Sequence, residues 1–397
     1  MYPRSPKAGR EIEGGMHGCA WNNAAVTSPI DGLLDPLHPL SADRTADSAL
    51  LRAYRSERSE RTPVWFMRQA GRSLPEYRAL RTDTKMLDAC LDPALASEIT
   101  LQPVRRHGVD AGIFFSDIVI PLRLAGVGVD IVPGRGPVLE RPVRTAADVA
   151  ELASIDPSVL DETLEPIREG VRRTVAGLGD TPLIGFAGAP FTLAAYLVEG
   201  GPSKDHLRAR TMMHADPTAW AQLMEWTAEV TGRFLRAQVL AGASAAQLFD
   251  SWAGALSLSD YTTHVAPASA RALAHVRDLA FDHGETRRNV PIVHFGVGTG
   301  ELLGAMHGIG ADVVGVDYRI PLDEANHRLG GFVPVQGNVD PALLTAPWEA
   351  LEAHVDDVLR RGLSAPAHVL NLGHGVPPET DPDVLTRLVA FVHAWRP

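Results

Sequence analysis

Cysteine is almost absent from this chain of 397 residues, which contains only Cys19 and Cys90. Two thiols are too few for a disulfide framework or for an iron–sulfur cluster, so both are excluded. Such scarcity is typical of proteins from a reducing compartment. We therefore expect a cytoplasmic location.

Long apolar runs are also missing. No segment approaches about 18 consecutive apolar residues, the minimum for a transmembrane helix, so the sequence predicts no membrane partner. The 45% hydrophobic and 21% charged residues describe an ordinary soluble globular protein with an ample core.

Positive charge is in deficit, because the formal net charge is −11. This charge and the lack of an extended basic tract argue against nucleic acid as the main partner. A polyanionic small molecule would also be repelled by the average field. Any site for such a substrate must be built locally, from arginines held in a cleft.

The first 47 residues show little periodicity and no continuous apolar segment of the kind found in secretory signals. We expect residues 1–47 to be a disordered N-terminal extension. Met16 offers an alternative start within it.

From residue 48 onward, short apolar runs alternate with helical patterns such as residues 217–241, where Trp220, Leu223, Met224 and Thr227 share one face. Short buried strands separated by helices predict βα units and a parallel sheet. The predicted strands are residues 64–67, 111–117, 183–188, 245–250, 291–296, 312–317, 332–337 and 368–373.

Eight strands favour a closed (β/α)8 TIM barrel over an open sheet, and no composition break divides residues 48–397. We therefore predict a single α/β domain over that range. Polar residues or glycines follow nearly every strand. In barrel enzymes the loops at the carboxyl ends of the strands form the active site, so candidate chemistry is concentrated on one rim.

The most informative segment is residues 63–81, which carries the arginines Arg68, Arg72, Arg78 and Arg81. A guanidinium is a rigid fork that can bind a carboxylate through two parallel hydrogen bonds. Arg68 and Arg72 share a face if the segment is helical, and Gly71 allows the backbone to approach a ligand closely. The alternative is a solvated basic helix start.

This arginine segment resembles the N-terminal signature of the uroporphyrinogen decarboxylase family. Residues 184–192 resemble a second signature of that family, and the resemblance extends over about residues 48–397. It implies decarboxylation of the four acetate side chains of uroporphyrinogen III to methyl groups, giving coproporphyrinogen III in heme biosynthesis. It also implies a homodimer and no metal or organic cofactor.

The resemblance assigns roles to individual residues of this chain. Arg68, Arg72 and Arg81 would bind substrate carboxylates, and the backbone of Gln69, Ala70 and Gly71 would line the same cleft. Asp117 would lie against the pyrrole N–H groups and stabilise a cationic intermediate. Tyr196, Ser251 and His374 would complete the pocket, and the expected catalytic residues are Arg68, Asp117, Tyr196 and His374.

Each of these side chains also has a purely structural interpretation. Asp117 could be a helix N-cap or an arginine partner, Tyr196 a core aromatic, Ser251 a helix cap and His374 a turn residue. Arg78 has no matching family position, and we expect it to be superficial or structural.

Three other functions remain as alternatives. Residues 294–300 with Asp317 resemble the glycine loop and acid of S-adenosylmethionine-dependent methyltransferases, although Glu301 breaks the Gly-x-Gly-x-x-Gly spacing, and we assign this loop to rim packing. Corrinoid-linked methyltransferases share the barrel but need zinc-binding cysteines. His17 and Cys19 match part of that motif, yet no cysteine follows Cys90. The third alternative is a tetrapyrrole-binding protein without activity.

Overall fold

The computed structural model describes residues 32–82 and 84–397. Its centre is a parallel sheet of seven strands in the order β1, β4, β5, β8, β9, β10, β11. These strands are β1 (Gly112–Ile113), β4 (Leu183–Gly188), β5 (Ala245–Asp250), β8 (Ile292–Gly296), β9 (Val313–Gly315), β10 (Val335–Gln336) and β11 (His368–Val369).

Val64 closes the sheet into a barrel. It forms a parallel bridge with Leu370, just beyond β11, and its carbonyl accepts a 2.8 Å hydrogen bond from the Asp110 amide, just before β1. The first predicted strand therefore lies between the last strand and the second. The predicted (β/α)8 barrel is confirmed.

Most strands are shorter than the apolar runs that predicted them. Residues 111–117 were predicted as one strand, but the ladder comprises only Gly112–Ile113. The amide of Phe115 donates to the side chain of Thr100, at 2.8 Å, instead of to a neighbouring strand. Side-chain partners thus take over from the ladder where the chain turns into the rim.

Helices surround the barrel. They are α1 (Ala49–Tyr54), α2 (Pro75–Leu80), α3 (Met86–Leu91), α4 (Pro93–His107), α5 (Ile120–Leu124), α6 (Ala146–Ala153), α7 (Leu160–Thr163), α8 (Glu165–Leu178), α9 (Pro190–Glu199), α10 (Leu207–Ala215), α11 (Pro217–Leu240), α12 (Leu258–His264), α13 (Ala266–Arg277), α14 (Leu303–Gly308), α15 (Leu322–Arg328), α16 (Trp348–Gly362) and α17 (Pro382–Ala394). Short 3-10 helices span Pro157–Val159, Ala253–Ala255 and Pro341–Thr345.

Three of the longer helices begin with the dipeptide Asp-Pro. Asp92, Asp216 and Asp381 each accept a backbone N–H of the first turn of α4, α11 and α17. Proline follows at the first helical position, where its missing N–H costs nothing. The predicted helix over 217–241 is confirmed as α11, with its four named side chains buried.

Two antiparallel hairpins, β2 (Val129–Val132) with β3 (Gly136–Leu139) and β6 (Ala280–His283) with β7 (Thr286–Asn289), lie outside the barrel. The sequence analysis did not predict them. Residues 32–47, which were assigned to the N-terminal extension, pack against the barrel. Leu34 bridges Ala280 of β6, and the buried ring of His38 bonds the Val239 carbonyl at 2.9 Å. Residues 1–31 lie outside the described residues.

The barrel interior combines aromatic packing with a polar chain. Phe249 contacts Phe186 and Phe295 edge-on, with ring centroids 5.5 and 5.9 Å apart. Gln336 of β10 donates to Gln247 of β5 at 3.1 Å, across strands that are not neighbours, so these two side chains meet inside. In the described part of the chain, no helix has the length and apolarity needed to cross a bilayer.

Candidate active site at the carboxyl rim of the barrel

The candidate residues lie on segments that follow the carboxyl ends of the strands. Asp117 follows β1, Tyr196 lies in α9 after β4, Ser251 follows β5 and His374 follows β11. Because parallel strands all end at the same rim, these segments from distant parts of the sequence face one opening.

Hydrogen bonds join the Arg68 segment to the His374 segment. The Met67 amide donates to the side chain of Asn371 at 3.0 Å, and the Val376 amide donates to the Met67 carbonyl at 2.9 Å. A Cβ on Gly375 would lie 2.4 Å from Cδ of Arg68, so only glycine admits this close approach. Arg68 is therefore held directly beside His374.

Arg68 has a strained backbone, with φ of +60°. A left-handed conformation costs a residue with a side chain roughly 1–2 kcal/mol, and strain of this kind is concentrated at functional sites. Arg68 is exposed, and among the described residues no carboxylate lies within salt-bridge distance of it. Its guanidinium is thus free to bind an anion.

Arg72, Arg78 and Arg81 have different environments. Arg72 is exposed, and in the described part of the chain its guanidinium likewise has no salt-bridge partner. Arg78 donates to the carbonyls of Arg72 and Ser73, at 2.6 and 3.1 Å, and so supports the loop that carries Arg72.

Arg81 is half-buried, and its donors are used within the protein. They contact the Tyr77 hydroxyl, the Met86 sulfur and the Thr84 carbonyl. The expected role of Arg81 in substrate binding would require it to exchange one of these partners.

Gln69, Ala70 and Gly71 form the turn between Arg68 and Arg72. The buried side chain of Gln69 accepts from the Phe66 amide and donates to the Ala111 carbonyl, both at 3.0 Å. Gln69 thereby fixes the turn to the barrel wall, while half-buried Ala70 and Gly71 are left at the surface of the cleft.

Asp117 carries a carboxylate with little compensation. Loss of solvent raises its pKa, whereas the Val119 amide, which donates at 3.0 Å, and the positive charge of Arg68 oppose the rise. Both interpretations of Asp117 are thus partly right, since it accepts a backbone N–H just before α5 and it feels an arginine. Its electrostatic neighbourhood also includes Tyr196, whose pKa is raised by burial and then by the Asp117 charge.

A groove of about 500 Å³ begins beside Tyr196. The ring of Tyr196 packs against Trp252 with centroids 3.9 Å apart, and Trp252 stacks on His206 at 4.3 Å. The groove is lined by Ser203, Lys204, Asp205, His206, Arg210, Ser251, Trp252, Gly254, Ala255 and Val297. Ser251 is thus on a groove wall with Lys204 and Arg210, a setting suited to an anionic group.

His374 is exposed at the mouth of the site, and its pKa is lowered by desolvation and then by Arg68 and Arg319. It is therefore neutral near pH 7 and acts as a hydrogen-bonding group without a positive charge. The nearby Asp317 carboxylate raises this pKa, but Asp317 is itself paired with Arg319.

Sequence reasoning missed four residues of this region: Trp252, His206, Arg210 and Arg319. Trp252 directly follows Ser251 and Arg319 comes two residues after Asp317, so adjacency to a candidate was an available signal. His206 and Arg210 belong to α10, which carries no motif, and only the fold brings them to the groove.

The glycine loop after β8 packs against its neighbours. The Gly298 amide donates to the Asp317 carboxylate at 2.7 Å, and a Cβ on Gly254 would lie 2.2 Å from the Val297 carbonyl. The acid of the supposed S-adenosylmethionine motif is thus occupied by the loop and by Arg319. The expected rim packing agrees with this geometry, and His17 and Cys19 of the zinc motif lie outside the described residues.

Comparison with known proteins identifies the family. The family model described as Uroporphyrinogen decarboxylase (URO-D) matches residues 45–395. This chain belongs to the uroporphyrinogen decarboxylase family. The predicted membership is confirmed, and it makes the chain a carboxy-lyase by family.

Individual relatives agree with the family model. The uroporphyrinogen decarboxylase of Leifsonia xyli is 70% identical over 91% of this chain and 98% of its own length. That of Arthrobacter sp. is 69% identical over 89% of this chain and 99% of its own length.

A solved structure shares the fold. A methyltransferase from Methanosarcina mazei matches with a TM-score of 0.72 at 19% identity, covering 88% of this chain and 98% of that protein. At that identity the likeness extends to the barrel alone.

Proposed function

We propose that this chain removes the carboxyl groups from the four acetate side chains of uroporphyrinogen III and produces coproporphyrinogen III in heme biosynthesis. Family membership, with relatives that match over nearly their whole length, supports the decarboxylase class. The single observation that carries the proposal is Asp117, a poorly solvated carboxylate on the rim, within the electrostatic reach of Arg68 and Tyr196.

The chemistry requires an electron sink. Protonation of a pyrrole ring carbon creates a cation, which accepts the electron pair released when the bond between the acetate methylene and CO2 breaks. A second proton transfer then places hydrogen on the former methylene and returns the ring proton, so one proton replaces each CO2. Asp117, fixed at the pyrrole N–H edge, stabilises the cation as it forms.

The other candidates bind and orient the macrocycle. Free guanidinium groups at Arg68 and Arg72 pair with substrate carboxylates, and Arg81 joins them by exchanging a partner. Tyr196 and Ser251 donate hydroxyl hydrogen bonds from the groove. His374, neutral at physiological pH, bonds a carboxyl group or passes a proton.

We further propose that the chain acts in the cytoplasm as a homodimer and needs neither metal nor organic cofactor. Sedimentation velocity would test the dimer. Chelators and exhaustive dialysis should leave the turnover of each active site unchanged. Activity lost on chelation and restored by zinc would contradict the cofactor-free mechanism.

The deciding experiment is an anaerobic assay of the purified chain with uroporphyrinogen III. We expect release of four CO2 per macrocycle and accumulation of coproporphyrinogen, read after oxidation to the porphyrin. Tight binding without CO2 release would favour the inactive binding protein. Methyl transfer that depends on S-adenosylmethionine or a corrinoid would favour a methyltransferase.

A further inference from the structure

Three potential metal ligands meet on the outer surface of the barrel, on segments that the proposed reaction does not use. They are His214 in α10 and Asp260 and His264 in α12. One ligand atom of each lies within 4.8 Å of the other two. The described residues contain no other group of three His, Cys, Asp or Glu side chains with this spacing.

The fold brings these side chains together from two helices. Asp260 and His264 are four residues apart, so they share a face of α12. His214 belongs to the last turn of α10, and its ring meets that of His264 edge-on with centroids 5.8 Å apart. Neither helix alone could supply three ligands at one point.

The distances suit a small divalent cation. Ligands at about 2.0–2.1 Å from a tetrahedral zinc are separated from each other by roughly 3.3 Å. His214 Nε2 is already 3.5 Å from a carboxylate oxygen of Asp260. The His214 side chain is 56% exposed, so it can rotate to complete the set, while Asp260, 20% exposed, holds its position.

We propose that His214, Asp260 and His264 form a binding site for a divalent late transition metal, with Zn²⁺ as the natural probe, that joins α10 to α12. Two neutral imidazoles and one carboxylate are borderline ligands that favour such metals over Mg²⁺ or Ca²⁺. The three side chains together contribute one negative charge, and water can fill a fourth position.

The site also has a structural consequence. Arg210 lies one turn before His214 on α10, and α12 follows the segment of Ser251 and Trp252. All three of these residues line the groove. A metal that joins the two helices would therefore fix the separation of two walls of the groove, away from the proposed reacting atoms.

The test uses the full-length protein, stripped with a chelator and titrated with Zn²⁺ in competition with a chromophoric indicator. We expect one saturable equivalent per chain, with affinity that falls below about pH 6 as the imidazoles take up protons. His214→Ala and His264→Ala should each weaken binding at least tenfold. His327→Ala, which removes an exposed histidine from α15, should not.

Two further variants separate this site from other zinc ligands. Asp260→Asn keeps the side-chain shape and leaves the backbone bond from the Asp260 amide to Ser257 in place, and should also weaken binding. Cys19→Ser should leave binding unchanged. If Cys19→Ser abolishes binding while His264→Ala does not, the metal is held elsewhere and the proposal fails.

Thermal unfolding supplies a second readout that is independent of activity. Zn²⁺ should raise the Tm of the wild type and of His327→Ala but not of His264→Ala, because only a site present in the native state stabilises it. Matching Tm values of the metal-free proteins would establish that the variants fold. Zinc that binds without saturation, or raises every Tm alike, would leave His214 and Asp260 as a surface ion pair only.

Discussion

Burial raises the pKa of Asp117, whereas its proposed role requires the ionised form. A raised pKa means that the native state holds the proton more tightly than the unfolded chain does. Native stability therefore falls as the pH rises through the interval between the unfolded and the native pKa. Ionised Asp117 thus weakens the fold at neutral pH while it supplies the charge needed for the reaction.

Asp117→Asn should separate these two effects. The amide oxygen can still accept from Val119, but it cannot neutralise a pyrrole cation. We expect kcat to fall more than tenfold, which is about 1.4 kcal/mol of barrier or more, with KM much less affected. Steady-state kinetics under anaerobic conditions would show this, and a variant with more than about a tenth of wild-type kcat would contradict the role of Asp117.

The same substitution should stabilise the protein. The Tm difference between Asp117→Asn and the wild type should be small in acid and grow in favour of the variant as the pH rises toward neutral. Thermal unfolding at several pH values would check the sign. A variant that loses stability on the same rise in pH would mean that Asp117 forms a stabilising ion pair instead.

Arg72→Lys tests the guanidinium fork at constant charge. Replacing two parallel hydrogen bonds by a point charge on a flexible stem should raise KM about tenfold or more, because each charge-assisted bond contributes roughly 1.5–3 kcal/mol. Arg105→Lys is the matched control, since Arg105 is exposed and pairs only with Glu98. Arg78→Lys is not a neutral control, because Arg78 supports the Arg72 loop. Equal, small changes at Arg72 and Arg105 would show that the arginine segment is merely solvated surface.

At the scale of single elements, the loop after β11 positions the loop that carries Arg68. Gly375→Ala would place a Cβ 2.4 Å from Cδ of Arg68, and the flexible arginine side chain would move away. We expect KM to rise severalfold, with Tm within a few degrees of the wild-type value. Gly308→Ala, at the end of α14 with open space around the new methyl, should change neither. Kinetics of both variants would decide, and an unchanged KM in Gly375→Ala would mean that Arg68 needs no fixed position.

Apolar runs predicted where the strands lie because burial against surrounding helices requires continuous hydrophobicity. They could not predict the strand ends, where contacts such as that of Thr100 with Phe115 come from tertiary structure. The hairpins and the packing of residues 32–47 escaped prediction for the same reason. On the rim, residue types and order predicted Asp117 and His374, but the left-handed backbone of Arg68 and the stacking of His206 on Trp252 depend on the assembled barrel.

At the scale of the whole molecule, Asp110 is central to barrel closure. Its carboxylate accepts from the Val64 amide at 2.8 Å and from Arg61 at 2.6 Å, and it contacts the ring of His393 at 2.8 Å. Asp110→Ala should lower the free energy of unfolding by roughly 2–4 kcal/mol, because a part-buried amide and two side chains lose their acceptor. Asp282→Ala, which breaks the exposed pair with Arg287, should cost less than about 0.5 kcal/mol. Urea unfolding of both variants would check this, and similar losses would mean that Asp110 has no special role in closure.

The pairing of Val64 with Leu370 also has a consequence for biosynthesis. The strand made first can find its second neighbour only after about three hundred further residues have left the ribosome. Until then, the nascent chain is an open parallel sheet with two unpaired edges that could join those of other chains. Ribosomes that stall before the last strand should therefore release polypeptides that aggregate or need chaperones, even though nearly all of the rim is already encoded.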